Sequence, residues 1–174
     1  MARTGIRPSR IAGLPPIADP AARVLVLGSM PGVASLAARQ YYAHPRNQFW
    51  PIVGSICGFD AEMPYARRIA ALRAAGIAVW DVVASCVRAG SLDSSIDERS
   101  IVPNPFAGFL DTHLRIERVC FNGRRAEAAW RRHVRHELPV MRELEYRLLP
   151  STSPAHAGLS YQRKLRAWRH ALAG

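Results

Sequence analysis

The stretch RVLVLGSMPG, residues 23–32, decides the fold class of this 174-residue chain. Its first half is a run of valine and leucine, and its second half is a loop of Gly, Ser, Met and Pro. A short apolar run that stops at a Gly/Pro loop predicts a buried strand. Three further runs share its β-branched, aromatic and aliphatic character: GIAVWDVV at 76–83, RVCFN at 118–122 and YRLL at 146–149.

Helical patterns lie between and after these runs. Apolar residues recur there at spacings of three and four, which gives each segment one apolar face and predicts an amphipathic helix. The segments are 47–56, 65–75, 124–136 and 160–173.

Strands that alternate with helices form right-handed crossovers and a parallel sheet. The pattern therefore predicts the α/β class, as a three-layer α/β/α sandwich with a central four-stranded parallel sheet. We expect one domain over residues 13–174, a flexible basic tail over residues 1–12, and a long irregular loop over residues 84–104.

The chain carries 24 Lys and Arg residues against 13 Asp and Glu residues, a formal net charge of +11. This excess favours a polyanionic partner such as nucleic acid. Lys164 is the only lysine. Because a GC-rich genome replaces Lys by Arg throughout a sequence, the charge suggests a nucleic-acid partner without establishing one.

The sequence also argues against several classes of protein. No apolar run approaches the roughly 18–20 residues that span a bilayer, and no apolar segment of a secretory signal follows the basic N-terminus. Cys57, Cys86 and Cys120 are far apart and form no CxxC pair, which argues against a disulfide framework, a zinc site and an iron–sulfur cluster. We expect a cytoplasmic protein with no membrane contact, no metal and no cofactor.

Ligands of a parallel α/β sheet bind beyond the carboxyl ends of its strands. The first motif there is GSMPG, residues 28–32. A Gly-rich loop after a strand can hold a phosphate, but Pro31 removes an N–H group and the motif matches neither GxGxxG nor the Walker pattern. The alternative is a tight turn that needs Gly and Pro for backbone reasons alone.

The second motif is YYAHPRNQFW, residues 41–50, in which polar groups stand among four aromatic rings. Aromatic faces stack on nucleobases, and an Asn or His side chain can position water or contact a base edge. The structural alternative makes Phe49 and Trp50 core residues and Asn47 a helix cap, and we adopt it for the two aromatic residues. For Tyr42, His44 and Asn47 both interpretations stay open.

The third motif is PSTSPAH, residues 150–156. Small hydroxyl residues between prolines form a stiff, narrow loop that can enter a duplex groove and donate to phosphates. An ordinary Ser/Pro turn is the alternative. The helix predicted after this loop presents a group of basic residues, which we expect to bind phosphates: Arg163, Lys164, Arg166 and Arg169.

Taken in this order, the motifs resemble the uracil-DNA glycosylase superfamily, and most closely its hypoxanthine-DNA glycosylase branch, family 6. That superfamily has a four-stranded parallel sheet between helices, in agreement with the predicted architecture. The most specific part of the resemblance is the block from Gly28 to Trp50. The resemblance covers most of the chain through GLPPI at 13–17, GSMPG at 28–32, QYYAHPRNQFW at 40–50, FNG at 121–123 and LPSTSPAH at 149–156.

The resemblance implies a role for each motif. Asn47 is the expected catalytic residue, because the hypoxanthine branch takes its water-positioning Asn from a His-Pro-x-Asn-x-Phe-Trp segment. Mismatch-type relatives carry that Asn in the first loop, where this chain has Met30, and a thioether cannot orient water. Asp81 is interpreted as a structural residue that anchors the loop after its strand. The expected substrate-binding residues are Ser29, Met30, Tyr42, Asn122 and His156, and the expected DNA-binding residues are Gly32, Ser151, Thr152, Ser153, Pro154 and Arg163.

The implied activity is monofunctional base excision by a monomer. A deaminated nucleotide, above all deoxyinosine, is flipped out of the duplex and its N-glycosidic bond is hydrolysed without a cofactor. Tyr42 is expected to stack on the base and Asn122 to read it. Uracil or xanthine is the alternative base. The alternative classes are a noncatalytic, damage-specific DNA-binding module and an enzyme that holds a nucleotide cofactor with GSMPG.

Overall fold

The four predicted strands form one parallel sheet in the computed structural model, which describes residues 9–138 and 143–172. The strands are β2 (Val24–Gly28), β3 (Ile77–Asp81), β6 (Arg118–Asn122) and β7 (Glu145–Leu149). The central strand β2 is buried at all five of its residues, so it is apolar on both faces. It pairs in parallel with β3 on one side and with β6 on the other, and β7 completes the order β3-β2-β6-β7.

All four predicted helices are present, with ends that differ from the prediction by up to three residues. They are α2 (Phe49–Cys57), α3 (Tyr65–Ala74), α5 (Arg124–His133) and α6 (Tyr161–Leu172). Two helices escaped prediction, because six and seven residues are too few to repeat an apolar period. These are α1 (Val33–Ala38) and α4 (Phe106–Thr112).

The helices form two layers around the sheet. The β2-to-β3 and β6-to-β7 connections run in opposite directions across the sheet, so right-handed crossovers put their helices on opposite faces. On one face α2 packs against α6, where the rings of Phe49 and Trp168 lie 5.8 Å apart. On the other, α4 packs against α5, with the rings of Phe106 and Trp130 4.8 Å apart. The predicted three-layer α/β/α sandwich is confirmed.

A small antiparallel sheet, in the order β1-β4-β5, corrects two predictions. Its strands are β1 (Arg10–Ala12), β4 (Val83–Val87) and β5 (Val102–Pro103). The segment 84–104 is therefore no irregular loop, and short 3-10 turns at Asp93–Ser95 and Glu98–Ser100 complete it.

The basic tail predicted over residues 1–12 is wrong at its inner end. Main-chain pairing with β4 holds Arg10–Ala12, and the Arg10 guanidinium donates to Ser85 Oγ and to the Ser100 carbonyl. A three-residue strand carries no periodicity by which a sequence could show it. The tail's residues 1–8 lie outside the described residues.

Candidate functional site

The carboxyl ends of β2, β3 and β6 meet at one edge of the parallel sheet. Gly28 is in register with Asp81 of β3, and Leu27 is in register with Phe121 of β6. Asn122 therefore follows immediately at the same edge. This edge joins the loops that carry all three sequence motifs.

Tyr42 reaches this edge from the aromatic motif. Its ring is stacked on Phe49 of α2, with ring centroids 4.0 Å apart and planes at 22°. Its hydroxyl oxygen Oη lies 3.5 Å from the position that a Cβ atom on Gly28 would occupy. This Oη is buried and makes no hydrogen bond of normal geometry among the described residues. Burial and the Asp81 carboxyl both raise the pKa of Tyr42, and the Asn122 side chain opposes them.

The backbone of Tyr42 is held in an uncommon conformation. Its φ of 56° lies in the left-handed region, which costs a non-glycine residue about 1 kcal/mol or more. The preceding residue fixes it there: Tyr41 N donates to Tyr65 Oη, and Trp50 Nε1 donates to the Tyr41 carbonyl. Strain maintained by a buried network of this kind is typical of a functional position.

Asp81 ends β3 with its side chain only 3% exposed. Its Oδ1 occupies the space that a Cβ atom on Gly28 would need, so any side chain at residue 28 would have to displace the carboxyl group. Its Oδ2 is buried and has no hydrogen-bond partner in the part of the chain that the structure describes. Burial, and secondly the Asp93 carboxylate, raise the pKa of Asp81 to about 8, while Arg88 opposes the shift.

The anchoring role expected of Asp81 belongs to its main chain. Asn104 Nδ2 donates to the Asp81 carbonyl at 2.8 Å, which ties the end of the 84–104 segment to β3. The carboxyl group takes no part in this contact. A buried carboxyl with an unpaired oxygen costs stability, so its retention at this edge calls for a functional explanation.

Two residues that the sequence analysis did not identify hold the GSMPG loop by hydrogen bonds. Ser29 Oγ donates to Asp93 Oδ2 at 2.7 Å, and Arg88 donates to the Pro31 carbonyl at 2.6 Å. Both partners come from the 84–104 segment. Because this segment was predicted to be an irregular loop, no position could be predicted for their side chains. Met30 packs with Val83, Cys86 and Ile96 in a small apolar cluster, so its side chain points into the protein interior.

Gly32 lies at the outer end of the same loop and is half-buried. The following residue, Val33, donates its N–H to Ser91 Oγ at 2.9 Å.

Asn47 is half-buried and lies two residues before the start of α2, with Gln48 at the N-cap position between them. Its Oδ1 accepts from Phe49 N at 2.9 Å, which satisfies one of the free N–H groups at the helix start. The capping and the water-positioning interpretations of Asn47 are therefore compatible. Capping uses one lone pair of Oδ1 and leaves the side-chain NH2 group available to bind water. The neighbouring Gln48 has a buried Oε1 with no partner among the described residues, and it too escaped the sequence analysis.

Asn122 is joined to the third motif by two hydrogen bonds. Its Nδ2 donates to Thr152 Oγ1, and its Oδ1 accepts from Thr152 N, both at 2.9 Å. Gln48 N donates to the Thr152 carbonyl, which links the second motif to the third. Thr152 is fully buried, so it fixes the loop and presents no surface of its own.

Helix α6 holds both ends of the 150–156 loop. Trp168 Nε1 donates to the Pro150 carbonyl at 3.0 Å, and Lys164 Nζ donates to the His156 carbonyl at 2.8 Å. Lys164 is only 2% exposed, so the prediction that it belongs to the phosphate-binding face of this helix is wrong. Burial lowers the pKa of Lys164.

The outer surface of this loop and helix is polar and open. Ser151 Oγ accepts from Ser153 N, and Ser153 Oγ accepts from Ala155 N, which gives the loop its compact turns. The side chain of His156 is exposed, away from the buried groups of the site. Three arginines of the predicted basic group are exposed: Arg163, Arg166 and Arg169. Pro154, Ser151 and Ser153 are half-buried.

Within residues 9–138 and 143–172, no three His, Cys, Asp or Glu side chains are grouped so as to hold a metal ion. No helix there has the length and apolar character to cross a membrane. Cys57, Cys86 and Cys120 are free thiols.

Comparison with known proteins identifies similar chains over almost this whole length. The family model of the uracil DNA glycosylase superfamily matches residues 15–172. A hypoxanthine DNA glycosylase of Methanosarcina acetivorans is 34% identical over 155 residues, which are 87% of this chain and 92% of the relative. The hypoxanthine DNA glycosylase of Methanosarcina barkeri is 35% identical with the same coverage.

A solved structure shows the same fold. It is a solution NMR structure from Methanosarcina acetivorans that is ascribed to the uracil DNA glycosylases. Its TM-score is 0.74 at 32% sequence identity, and the match covers 95% of this chain and all of the other.

We predict that Asp81→Asn stabilises the protein at alkaline pH. A carboxyl whose pKa is raised from 3.8 to about 8 favours the folded state most below pH 3.8, and this contribution is lost as the pH rises through 8. The variant should therefore have a higher Tm than the wild type at about pH 8.5, with a smaller difference at acidic pH. Asp111→Asn, at an exposed position of α4, is the control and should change Tm little. A lower Tm for Asp81→Asn at alkaline pH would contradict this prediction.

Proposed function

The chain belongs to the uracil-DNA glycosylase superfamily, and from this premise we propose that it removes hypoxanthine from deoxyinosine in DNA. It is a DNA glycosylase that acts on deaminated bases and hydrolyses their N-glycosidic bonds. The observation that supports the choice of site is that all three motifs meet at one sheet edge. Tyr42 Oη lies 3.5 Å from the position that a Cβ atom on Gly28 would occupy, and Asn122 is hydrogen-bonded to Thr152. The choice of hypoxanthine follows the names of the two archaeal relatives.

Tyr42 provides the surface on which the flipped base stacks. One face of its ring is stacked on Phe49, so a base on the other face extends an existing aromatic stack. Base stacking on an aromatic side chain contributes about 1–3 kcal/mol. This offsets part of the few kcal/mol needed to extrude a nucleotide, a cost that is smallest for a mispaired base such as hypoxanthine.

Asn47 holds the attacking water. Its hydrogen bond from Phe49 N fixes the amide plane, so the remaining lone pair and the NH2 group have defined directions. The water oxygen bonds to C1′ of the sugar as the bond from C1′ to the base breaks. The hydrogen bonds with Thr152 use one N–H of the Asn122 amide, and its second N–H, which lies near Tyr42 Oη, contacts the base.

The loop 150–156 and helix α6 grip the DNA. Ser151, Ser153 and Pro154 form the narrow edge that enters beside the flipped nucleotide, and Thr152 positions them. Gly32 brings the first loop close to the phosphates. Arg163 on α6 adds sequence-independent attraction to the backbone. His156 is exposed on the same loop and contacts the DNA there.

The proposal also covers the oligomeric state, the cellular compartment and the type of reaction. All the residues named come from one chain, so we infer that a monomer is active. The free thiols of Cys57, Cys86 and Cys120 suit a reducing cytoplasm. The only lysine is buried against the His156 carbonyl, so we infer base release without Schiff-base lyase chemistry.

We predict that Asn47→Ala lowers the single-turnover rate of base release about 10²- to 10³-fold. The assay uses duplexes that contain deoxyinosine, deoxyuridine or deoxyxanthosine, followed by alkaline cleavage of abasic sites. Loss of the contact with Phe49 N should also lower stability by about 1 kcal/mol.

The control for this loss of stability is Asp60→Ala. Asp60 Oδ1 accepts from Glu62 N at 2.9 Å, the same two-residue geometry as in Asn47, but in the loop after α2. This variant should lose comparable stability and keep its rate. Release of no deaminated base by the wild-type protein, with DNA binding retained, would instead favour a noncatalytic binding module.

We predict different salt dependences for two substitutions in α6. Arg163→Gln should reduce the slope of log K against log salt by about 1, because it removes one phosphate contact. Lys164→Met should weaken DNA binding with the slope unchanged, because Lys164 acts by holding the loop at His156. Titration of a labelled duplex at several salt concentrations measures both. An equal reduction of slope in the two variants would mean that Lys164 contacts phosphate directly.

A further inference from the structure

One buried titratable group at the site has no part in the mechanism above. We propose that Asp81 is a general acid of this enzyme, and that it donates its proton to the leaving purine as the glycosidic bond breaks. This inference rests on the proposed function, because it requires a base at the sheet edge.

Asp81 lies where a base bound at the sheet edge would be received. It ends β3 beside Gly28, at the edge where Tyr42 and Asn122 also meet. Of the carboxyl groups in the described chain, Asp81 is the one that belongs to the buried set of residues. The absence of a side chain at Gly28 is what admits the carboxyl group to this place.

Two buried polar atoms of the site have hydrogen-bonding capacity that the described part of the chain does not fully satisfy. Asp81 Oδ2 is buried without a hydrogen-bond partner among residues 9–138 and 143–172, and Tyr42 Oη, which lies near the Asn122 side chain, is buried there without a hydrogen bond of normal geometry. Unpaired buried polar atoms cost about 1–3 kcal/mol each, so few of them are expected in a folded protein. A base with ring nitrogens and an oxo group supplies the missing partners.

The charged surroundings keep Asp81 protonated. Asp93 lies close enough to disfavour a second negative charge, and its own carboxylate accepts from Ser29 Oγ. The positive charge of Arg88 opposes this effect; its guanidinium donates to the carbonyls of Pro31 and Gly90, and its Nη1 is buried without a partner among the described residues. The hydroxyls of Tyr41 and Tyr42 stay neutral, since burial raises the pKa of both. With a pKa of about 8, Asp81 carries a proton at neutral pH.

The reaction balances with this proton. As the bond between C1′ and N9 of deoxyinosine breaks, its electron pair moves into the purine ring. The Asp81 proton passes to an acceptor atom of the ring or its oxo group, so hypoxanthine leaves as a neutral molecule. The water held by Asn47 bonds to C1′, and the proton that it releases returns through solvent to the Asp81 carboxylate. Deoxyinosine and water thus give an abasic site and hypoxanthine.

The test is the pH dependence of single-turnover base release from a deoxyinosine duplex. For the wild type we expect a constant rate up to about pH 8 and then a tenfold fall per pH unit. Asp81→Asn should be about 10²-fold slower at neutral pH, without this alkaline limb, because its amide donates a hydrogen bond but no proton. Gly28→Ala, which displaces the carboxyl, should slow the reaction in the same direction. Asp111→Asn is the control and should keep the wild-type profile.

Binding to a duplex with a tetrahydrofuran abasic analogue separates chemistry from folding. This DNA lacks a base, so Asp81→Asn should bind it as tightly as the wild type does. Weaker binding in parallel with the slower rate would show that Asp81 is structural and would overturn the proposal. A wild-type rate for Asp81→Asn, or an active wild type without the alkaline limb, would overturn the proposal and leave the proposed function standing. A wild type that releases no deaminated base would overturn both.

Discussion

The in-register parallel pairing of β2 with β3 and β6 is the constraint on which the rest of the site depends. It brings Gly28 opposite Asp81 and carries Asn122 to the same edge. A shift of one residue in either pairing would turn the end residues to the opposite face of the sheet. The apolar, fully buried β2 fixes this register, so the core that stabilises the fold also sets the spacing of the polar groups.

Around this edge, a few specific hydrogen bonds fix the loops that form the site. Asn122 secures Thr152, while α6 secures the ends of the same loop through Trp168 and Lys164. Such preorganisation means that little ordering remains to be done when DNA binds. Of the buried polar atoms that have no partner among the described residues, Asp81 Oδ2 and Tyr42 Oη lie where the proposed substrate is received. The stability lost there is consistent with a site built for binding.

The sheet and the main helices were predictable because apolar runs and apolar periods are local properties of a sequence. The motifs could also be placed at the sheet edge, since that follows from parallel topology. Burial is not local, and this is where sequence reasoning failed: Lys164 points inward from a helix full of exposed arginines. Asp81 looked like an ordinary loop anchor for the same reason. Only the three-dimensional structure shows that its carboxyl is enclosed and that Oδ2 has no partner among the described residues.

The most direct test of the account is to identify the free base released from a duplex with a single deoxyinosine. Mass spectrometry of the small-molecule fraction should find hypoxanthine in an amount equal to the abasic sites formed. A matched duplex with deoxyadenosine should release none, and the DNA strand should stay intact until alkali is added. Tight binding of the deoxyinosine duplex with no free hypoxanthine would contradict the central claim that this chain is a hypoxanthine-releasing glycosylase.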